Sequence, residues 1–269
     1  MRIAHIFNPV LVPPDSDLGI AQPLTFETMR LARDAAAGMV AVDLLTAQYA
    51  EDRGAVPAGF CATPDLERSL LDFGTFVKPR KLPLIGDIVE RLYAASDADY
   101  FLYTNIDIAL MPFFYVAVAA MLRQGHDALV INRRTISKDY TAIADLPLMF
   151  GQAGSGHCGR DCFVWRREVT PRFVCGRTVI GQGGVGRVLQ INLAATANNF
   201  REYEDQHLTF HLGDDRTWER HDQDDSRAFN RGELVQVDNT IRTRGDLPTH
   251  PAVTSFLEHW GRTNSANIA

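Results

Sequence analysis

The sequence contains no Cys-x-x-Cys pair. Its four cysteines are Cys61, Cys158, Cys162 and Cys175. Cys158 and Cys162 flank a short Gly-Arg-Asp stretch beside His157, and no second pair at zinc-ligand spacing follows. That argues against a structural zinc site and predicts reduced, partly buried thiols. Long apolar runs are also missing. None approaches the ~18 residues that a membrane span requires. Residues 113–122 form a run of core-helix length. The first residues, Met1-Arg2-Ile3-Ala4-His5-Ile6-Phe7, are too short an apolar stretch for a secretory signal and suit a first strand, so a cytoplasmic location is expected. No basic excess exists either: the formal net charge is −6, with a pI near 5.7. Nucleic acid is therefore not an expected partner. An anionic substrate would need a cation or a local arginine cluster to offset that field. No internal repeat is visible, and no linker divides the chain.

What is present fits an α/β protein. The 269 residues are 46% hydrophobic and 22% charged, enough to bury a sizeable core. Residues 2–8 read as a strand, followed by a Pro- and Asp-bearing loop over residues 13–17. Thr25 is placed to cap a helix over residues 26–37, with Met29, Leu31 and Ala35 inward. Residues 40–46 read as a second strand, residues 51–65 as loop and residues 66–71 as a short helical piece. Ile85, Ile88, Val89 and Leu92 set the inner face of a helix over residues 85–96. A strand over residues 99–108, a helix over 112–124 and a strand from 127 to 133 complete this half. Alternating strands and helices with short connections predict a mainly parallel sheet flanked by helices. The domain runs to about residue 150, with the rest added to the same sheet. Beyond it, residues 151–160 hold four glycines and read as loop. Residues 162–165 read as a strand and residues 185–198 as a helix opened by a glycine-rich turn. Residues 208–212 read as a strand, residues 221–231 as charged loop, and the last ten residues are expected to fray.

The chemistry concentrates at one place. The apolar run ending in Thr104 stops abruptly at Asn105-Ile106-Asp107. In open α/β sheets, ligands bind at the carboxyl ends of strands. Two oxygen-bearing side chains just past such a strand suit a divalent cation on a diphosphate, although Asn and Asp also favour turns for local reasons. His211 ends a short strand before Gly213-Asp214-Asp215. It fits either a third cation ligand, with Mn²⁺ favoured by mixed carboxylate and imidazole donors, or a structural histidine satisfied by a backbone carbonyl. Arg133-Arg134 follows its strand at what would be the same sheet edge, where Arg133 can bind diphosphate. Arg166-Arg167 is a similar pair. Asp161, after the glycine-rich loop, is placed to be an acceptor-binding group or a general base, and that loop to close over a substrate. Gly181-x-Gly183-x-x-Gly186 formally matches the dinucleotide fingerprint but lacks a suitable preceding strand, so it reads as close packing or an acceptor-site wall.

Taken together, the segments Phe101 to Ile108 and Leu208 to Arg216 resemble those of nucleotide-sugar-dependent glycosyltransferases of the GT-A fold: an Asn-x-Asp variant of the Asp-x-Asp motif, then a late strand carrying His. The resemblance implies a single GT-A-like, Rossmann-like domain over residues 1–220. Within it, residues 1–110 would form the nucleotide-binding half and residues 111–220 the acceptor half, with an irregular C-terminal extension over 221–269. Phe7 and Asn8 would line the nucleoside pocket. Asn105, Asp107 and His211 would hold Mn²⁺ or Mg²⁺ on the donor diphosphate. Arg160, Gln182 and Gly183 would face a hydroxyl acceptor, with Asp161 catalytic. Asn105 in place of Asp, and no Glu-Asp pair where many inverting members keep a base, depart from the pattern. Two other readings stand beside a metal-dependent glycosyltransferase: a nucleotidyltransferase, and a non-catalytic domain that binds nucleotide sugars or carbohydrate. Against the first, the segment after strand one is Pro9-Val10-Leu11-Val12-Pro13-Pro14 and not a Gly-rich basic loop.

Overall fold

The computed structural model describes residues 1–214, 225–244, 251, 254 and 258. One nine-stranded mixed sheet organises them. In chain order the strands are β1 (Arg2–Phe7), β2 (Ala41–Thr46), β3 (Cys61–Ala62), β4 (Tyr100–Thr104), β5 (Ala109–Leu110), β6 (Ala128–Ile136), β7 (Ser155–Arg166), β8 (Phe200–Tyr203) and β9 (Thr209–Leu212). The helices are α1 (Asp17–Ala35), α2 (Ile85–Ala95), α3 (Phe114–Arg123), α4 (Leu146–Phe150), α5 (Val185–Thr196) and α6 (Asp225–Thr243). The sheet runs β3-β2-β1-β4-β7-β6-β9-β5, and β8 also pairs with β6. β1 is parallel to β2 and β4, whereas β7 lies antiparallel between β4 and β6. β8 and β9 run parallel to the first and second halves of β6.

The side-chain alternation of the central strands explains the layering. Phe101 and Tyr103 of β4 point to the face covered by α2, α5 and α6, while Tyr100 and Leu102 point to the face covered by α1 and α3. A strand buried on both faces has to be apolar throughout, as β4 is. The fold is therefore the α/β, mainly parallel, helix-flanked architecture expected.

Several element boundaries differ from expectation. Helix α1 starts at Asp17, capped by Ser16, whose hydroxyl accepts from the Gly19 amide. Thr25 is buried mid-helix and caps nothing. The inner face is Met29, Ala32 and Ala36, with Leu31 and Ala35 exposed. Pro23 lies inside the helix. β7 begins at Ser155, so much of the glycine-rich 151–160 stretch is strand. β6 partners it at Ser155, Gly156 and again from Arg160, with irregular register between. The charged segment after residue 221 is helical from Asp225, since Asn230, Glu233, Val237 and Ile241 bury one helical stripe. Residues 50–55 form a 3-10 turn and Cys61–Ala62 the edge strand β3, within what read as loop. The short helical piece lies at Leu70–Phe73. β8 is an additional strand. The Asp215-Arg216 end of the late motif, residues 221–224 and the last ten residues lie outside the described residues. Among the described residues, no helix is long and apolar enough to cross a membrane.

Candidate functional site

The site forms where β4 ends. After Thr104 the chain turns: the Ile108 amide donates to the Asn105 carbonyl at 3.2 Å. This turn leaves Asp107 at the mouth of the sheet. Across from it, β9 is aligned beside β6, with Thr135 opposite His211. His211 and Asp107 meet at 3.2 Å, Nε2 to Oδ2. The other ring nitrogen, Nδ1, is 2.7 Å from the Gly213 carbonyl. Gly213 has φ +68°, a left-handed conformation that glycine adopts without steric cost. With the Gly213 carbonyl on Nδ1 and the Asp107 carboxylate on Nε2, both ring nitrogens face acceptors, an arrangement that favours the doubly protonated ring; a cation at this place would replace the Nε2 proton. Burial alone would raise the Asp107 pKa. The hydrogen bond and charge of His211, with the charge of Arg133, outweigh it and hold the carboxyl below its ordinary value. For His211, burial pulls downward, and the hydrogen bond and charge of Asp107 raise it overall.

A second cluster adjoins the first. Between β6 and β7, Ile131 faces Cys162 but Asn132 faces Arg160, so Asp161 is an extra, bulged residue. Bulges re-aim side chains. Here the bulge turns the Asp161 carboxylate so that Oδ1 accepts from Asn105 Nδ2 at 2.9 Å and Oδ2 from Arg133. Asn105 Oδ1 accepts from the Tyr103 hydroxyl at 3.0 Å. Gly159 permits the crowding: a Cβ there would lie 2.6 Å from His157 Nδ1 and 2.7 Å from Asp161 Oδ2. His157 Nε2 in turn lies 3.3 Å from Asp214 Oδ1.

The expected site residues thus divide. Asp107 and His211 converge, and Asn105, Arg133 and Asp161 form one hydrogen-bonded network beside them. Asn105 directs both ends of its amide to that network and not toward His211. Phe7 is fully buried against Phe26 and Phe60, and the Asn8 amide donates to the Ala47 carbonyl at 2.6 Å, so both lie inside the fold at the β1 end. Gln182 is buried, and the Gly183 carbonyl accepts from Asn230 Nδ2. Arg160 pairs with Glu202 on β8. Arg134 holds the 153–154 backbone and Asp205. Arg166 and Arg167 sit over Tyr100 and Tyr93 at the opposite sheet end. Tyr103 and Glu202 gave no signal in the sequence, one because it reads as core, the other because its strand was not foreseen. Cys162 and Cys175 are buried, and burial pushes the Cys175 thiol up to about 12. Cys61 and Cys158 are free and exposed.

The donors fit a divalent cation in part. Two cis ligands at ~2.1 Å from an octahedral ion stand ~3 Å apart, close to the Asp107–His211 separation. No group of three His, Cys, Asp or Glu side chains that could hold a metal occurs among the described residues. A cation here would need oxygen ligands from its substrate or water.

No family model and no curated protein matches the sequence. Solved structures do. Staphylococcus aureus TarS (residues 1–349) in complex with UDP-GlcNAc is 9% identical, covering 88% of this chain and 71% of that one, with a TM-score of 0.47. Glucosyl-3-phosphoglycerate synthase from Mycobacterium tuberculosis, in complex with Mn²⁺, UDP and glucosyl-3-phosphoglycerate, is 13% identical over 87% and 78%, with a TM-score of 0.49. A putative glucose-1-phosphate thymidylyltransferase from Bacillus anthracis is 10% identical over 85% and 95%, with a TM-score of 0.44. The likeness is one of fold. These names span both transferase chemistries considered above, so the reaction has to be argued from this chain's own residues.

Proposed function

We propose that the protein is a divalent-cation-dependent glycosyltransferase that takes a nucleoside diphosphate sugar as donor and a hydroxyl compound as acceptor. The observation that carries this reading is the Asp107–His211 pair, with Nδ1 engaged by Gly213 and Nε2 aimed at the carboxylate. A bound Mn²⁺ or Mg²⁺ would stabilise the leaving nucleoside diphosphate. Asp107 and His211 would hold it, and Arg133 lies close enough to influence the Asp107 charge. In the free protein Arg133 binds Asp161. A turn of Arg133 toward the diphosphate would release Asp161 Oδ2 to accept the acceptor's hydroxyl proton. The bond from anomeric carbon to diphosphate oxygen breaks as the acceptor oxygen bonds that carbon.

Nucleotidyl transfer is the weaker reading. The loop after β1 would have to cradle a triphosphate. Its backbone is already engaged: Val10 N–H and C=O with the Gln22 amide, and Leu11 N–H with Asp52. A non-catalytic binding domain would keep nucleotide affinity and lack turnover. Calorimetric titration with UDP, GDP and CDP, each with and without Mn²⁺, tests the proposal. Cation-dependent binding of one nucleoside diphosphate, followed by hydrolysis or transfer of its sugar conjugate, is the expected result. Binding without turnover selects the non-catalytic domain, and no binding removes both.

A further inference from the structure

The sheet face under α5 holds a charge imbalance outside the Asp107–His211 pair. Three neighbouring strands point polar side chains at that helix. Val130 faces it from β6 as part of the core, so Asn132, two residues on, faces it too, as do their register partners Glu202 on β8 and Arg160 on β7. Helix α5 closes the box. Its first turn sits directly on Arg160: a Cβ at Gly186 would be 2.7 Å from the Arg160 carbonyl. That turn contributes Arg187, and the next contributes Gln190.

Two guanidiniums therefore meet one carboxylate. Arg160 Nε lies 2.9 Å from Glu202 Oε1, but off hydrogen-bond alignment, and Gln190 Nε2 donates to Glu202 Oε2 at 2.6 Å. Arg187 has no partner among the described residues. It also stands in the first turn of α5, which has no acidic residue and no side-chain cap. There the helix dipole opposes a cation. Arg187 is exposed, yet partial desolvation and the neighbouring charge of Arg160 lower its pKa against the opposing charge of Glu202. Two further polar atoms of the box are buried and unpartnered. Asn132, 2% exposed, has its Oδ1 unpaired, and fully buried Gln190 has its Oε1 unpaired. Buried polar groups left open in this way are rare unless a ligand completes them.

We infer that this box is the acceptor subsite and that the acceptor is a hydroxylated small molecule carrying an anionic group, a carboxylate or a phosphate. The anion lies between Arg187 and Arg160 at the α5 N-terminus, where backbone N–H groups add to the field. Its hydroxyls donate to the open oxygens of Asn132 and Gln190. Because Arg160 directly precedes Asp161, an acceptor held there would present a hydroxyl to the carboxylate network.

The inference rests on the glycosyltransferase reading for the word acceptor, but its binding test does not. Inorganic phosphate and acetate are titrated into the full-length protein at constant ionic strength, followed by calorimetry, and UDP with Mn²⁺ is titrated separately. Saturable binding of one anion is expected, phosphate marking a phosphate acceptor and acetate a carboxylate one. Arg187→Gln should weaken that binding at least tenfold, Arg187→Lys should retain most of it, and UDP affinity should change less than twofold in both. Saturable binding that Arg187→Gln leaves intact reveals an adventitious ion only and overturns the inference. So does an absence of saturable binding, or an equal loss of UDP affinity, which would move Arg187 to the donor. Anion binding without any response to UDP, GDP or CDP in the presence of Mn²⁺ would instead overturn the function proposed above and leave the site standing.

Discussion

Asp107 and His211 show how strand register brings two side chains far apart in sequence into contact. Both lie at strand ends and are partly exposed, so neither carries the core. Asp107→Ala should abolish any Mn²⁺-dependent nucleotide binding while changing stability by less than ~1 kcal/mol. Calorimetric melting with and without Mn²⁺ and UDP measures both. His211→Ala should weaken the Mn²⁺ response more than it lowers the melting temperature. A large fall in melting temperature with an unchanged cation response would make His211 purely structural. His5 is the opposite kind of histidine. It is fully buried on β1, with Nδ1 at 2.8 Å from the Tyr115 hydroxyl and Nε2 at 2.8 Å from Thr104 Oγ1. Burial lowers its pKa to about 3. The unfolded chain therefore binds a proton below its ordinary value of 6.5, and the folded chain does not until about 3. The stability from neutral His5 is complete above that upper value and is lost as pH falls through the interval. Between pH 7 and pH 5 the loss is about 2 kcal/mol. His5→Gln, which can still bond both hydroxyls, should reduce the pH dependence of urea unfolding by that amount. Parallel curves for the two proteins would contradict the assignment.

Among the elements, β7 and α5 matter most, because the bulge in β7 builds the Asp161 network and the contact of α5 with β7 sets Arg187 beside Arg160. Gly186 is where they touch. Alanine would add up to ~1 kcal/mol of helix propensity, but its Cβ would press on the Arg160 carbonyl backbone, and such overpacking costs ~1–3 kcal/mol. A net loss of about 1–2 kcal/mol in urea unfolding is expected for Gly186→Ala. A gain in stability would show that the two elements stand further apart. These elements also mark where sequence reasoning reached its limit. The apolar stripe of α2 and the aromatic run of β4 dictate their own structure, because each buries what it displays. The end of β4 as a polar turn was legible for the same reason: polarity changes abruptly at Asn105. The glycines of β7 looked like loop because strand formation there depends on β6, a partner the local sequence does not reveal. Asp161 stood out by its place after that loop, but its bulge, and hence its attachment to Asn105 and Arg133, is a product of register.

At the scale of the molecule, helix α6 is tied into the support of the candidate site and is not an appendage. Asn230 of α6 is fully buried and clamps the chain leading to α5. Its Oδ1 accepts from the Val179 amide at 2.9 Å, and its Nδ2 donates to the Val179 carbonyl at 2.8 Å and the Gly183 carbonyl at 3.2 Å. Three residues on, Glu233 accepts from the Arg177 amide and guanidinium. The glycine-rich turn before α5 has left-handed backbone at Gly181 and Gly184, so its own conformational preferences do not hold it in place. The contacts from α6 do. Asn230→Ala should leave buried Val179 backbone groups unpaired and cost roughly 2–4 kcal/mol, while Asn239→Ala on the exposed side of the same helix should cost less than ~0.5 kcal/mol. If α6 positions the α5 N-terminus, Asn230→Ala should also weaken anion binding at conditions where the variant remains folded. Urea unfolding, paired with phosphate titration of the folded variant, separates the two effects. An Asn230→Ala protein that loses stability but binds phosphate as before would confine α6 to holding the fold together, with the α5 turn fixed by the sheet alone.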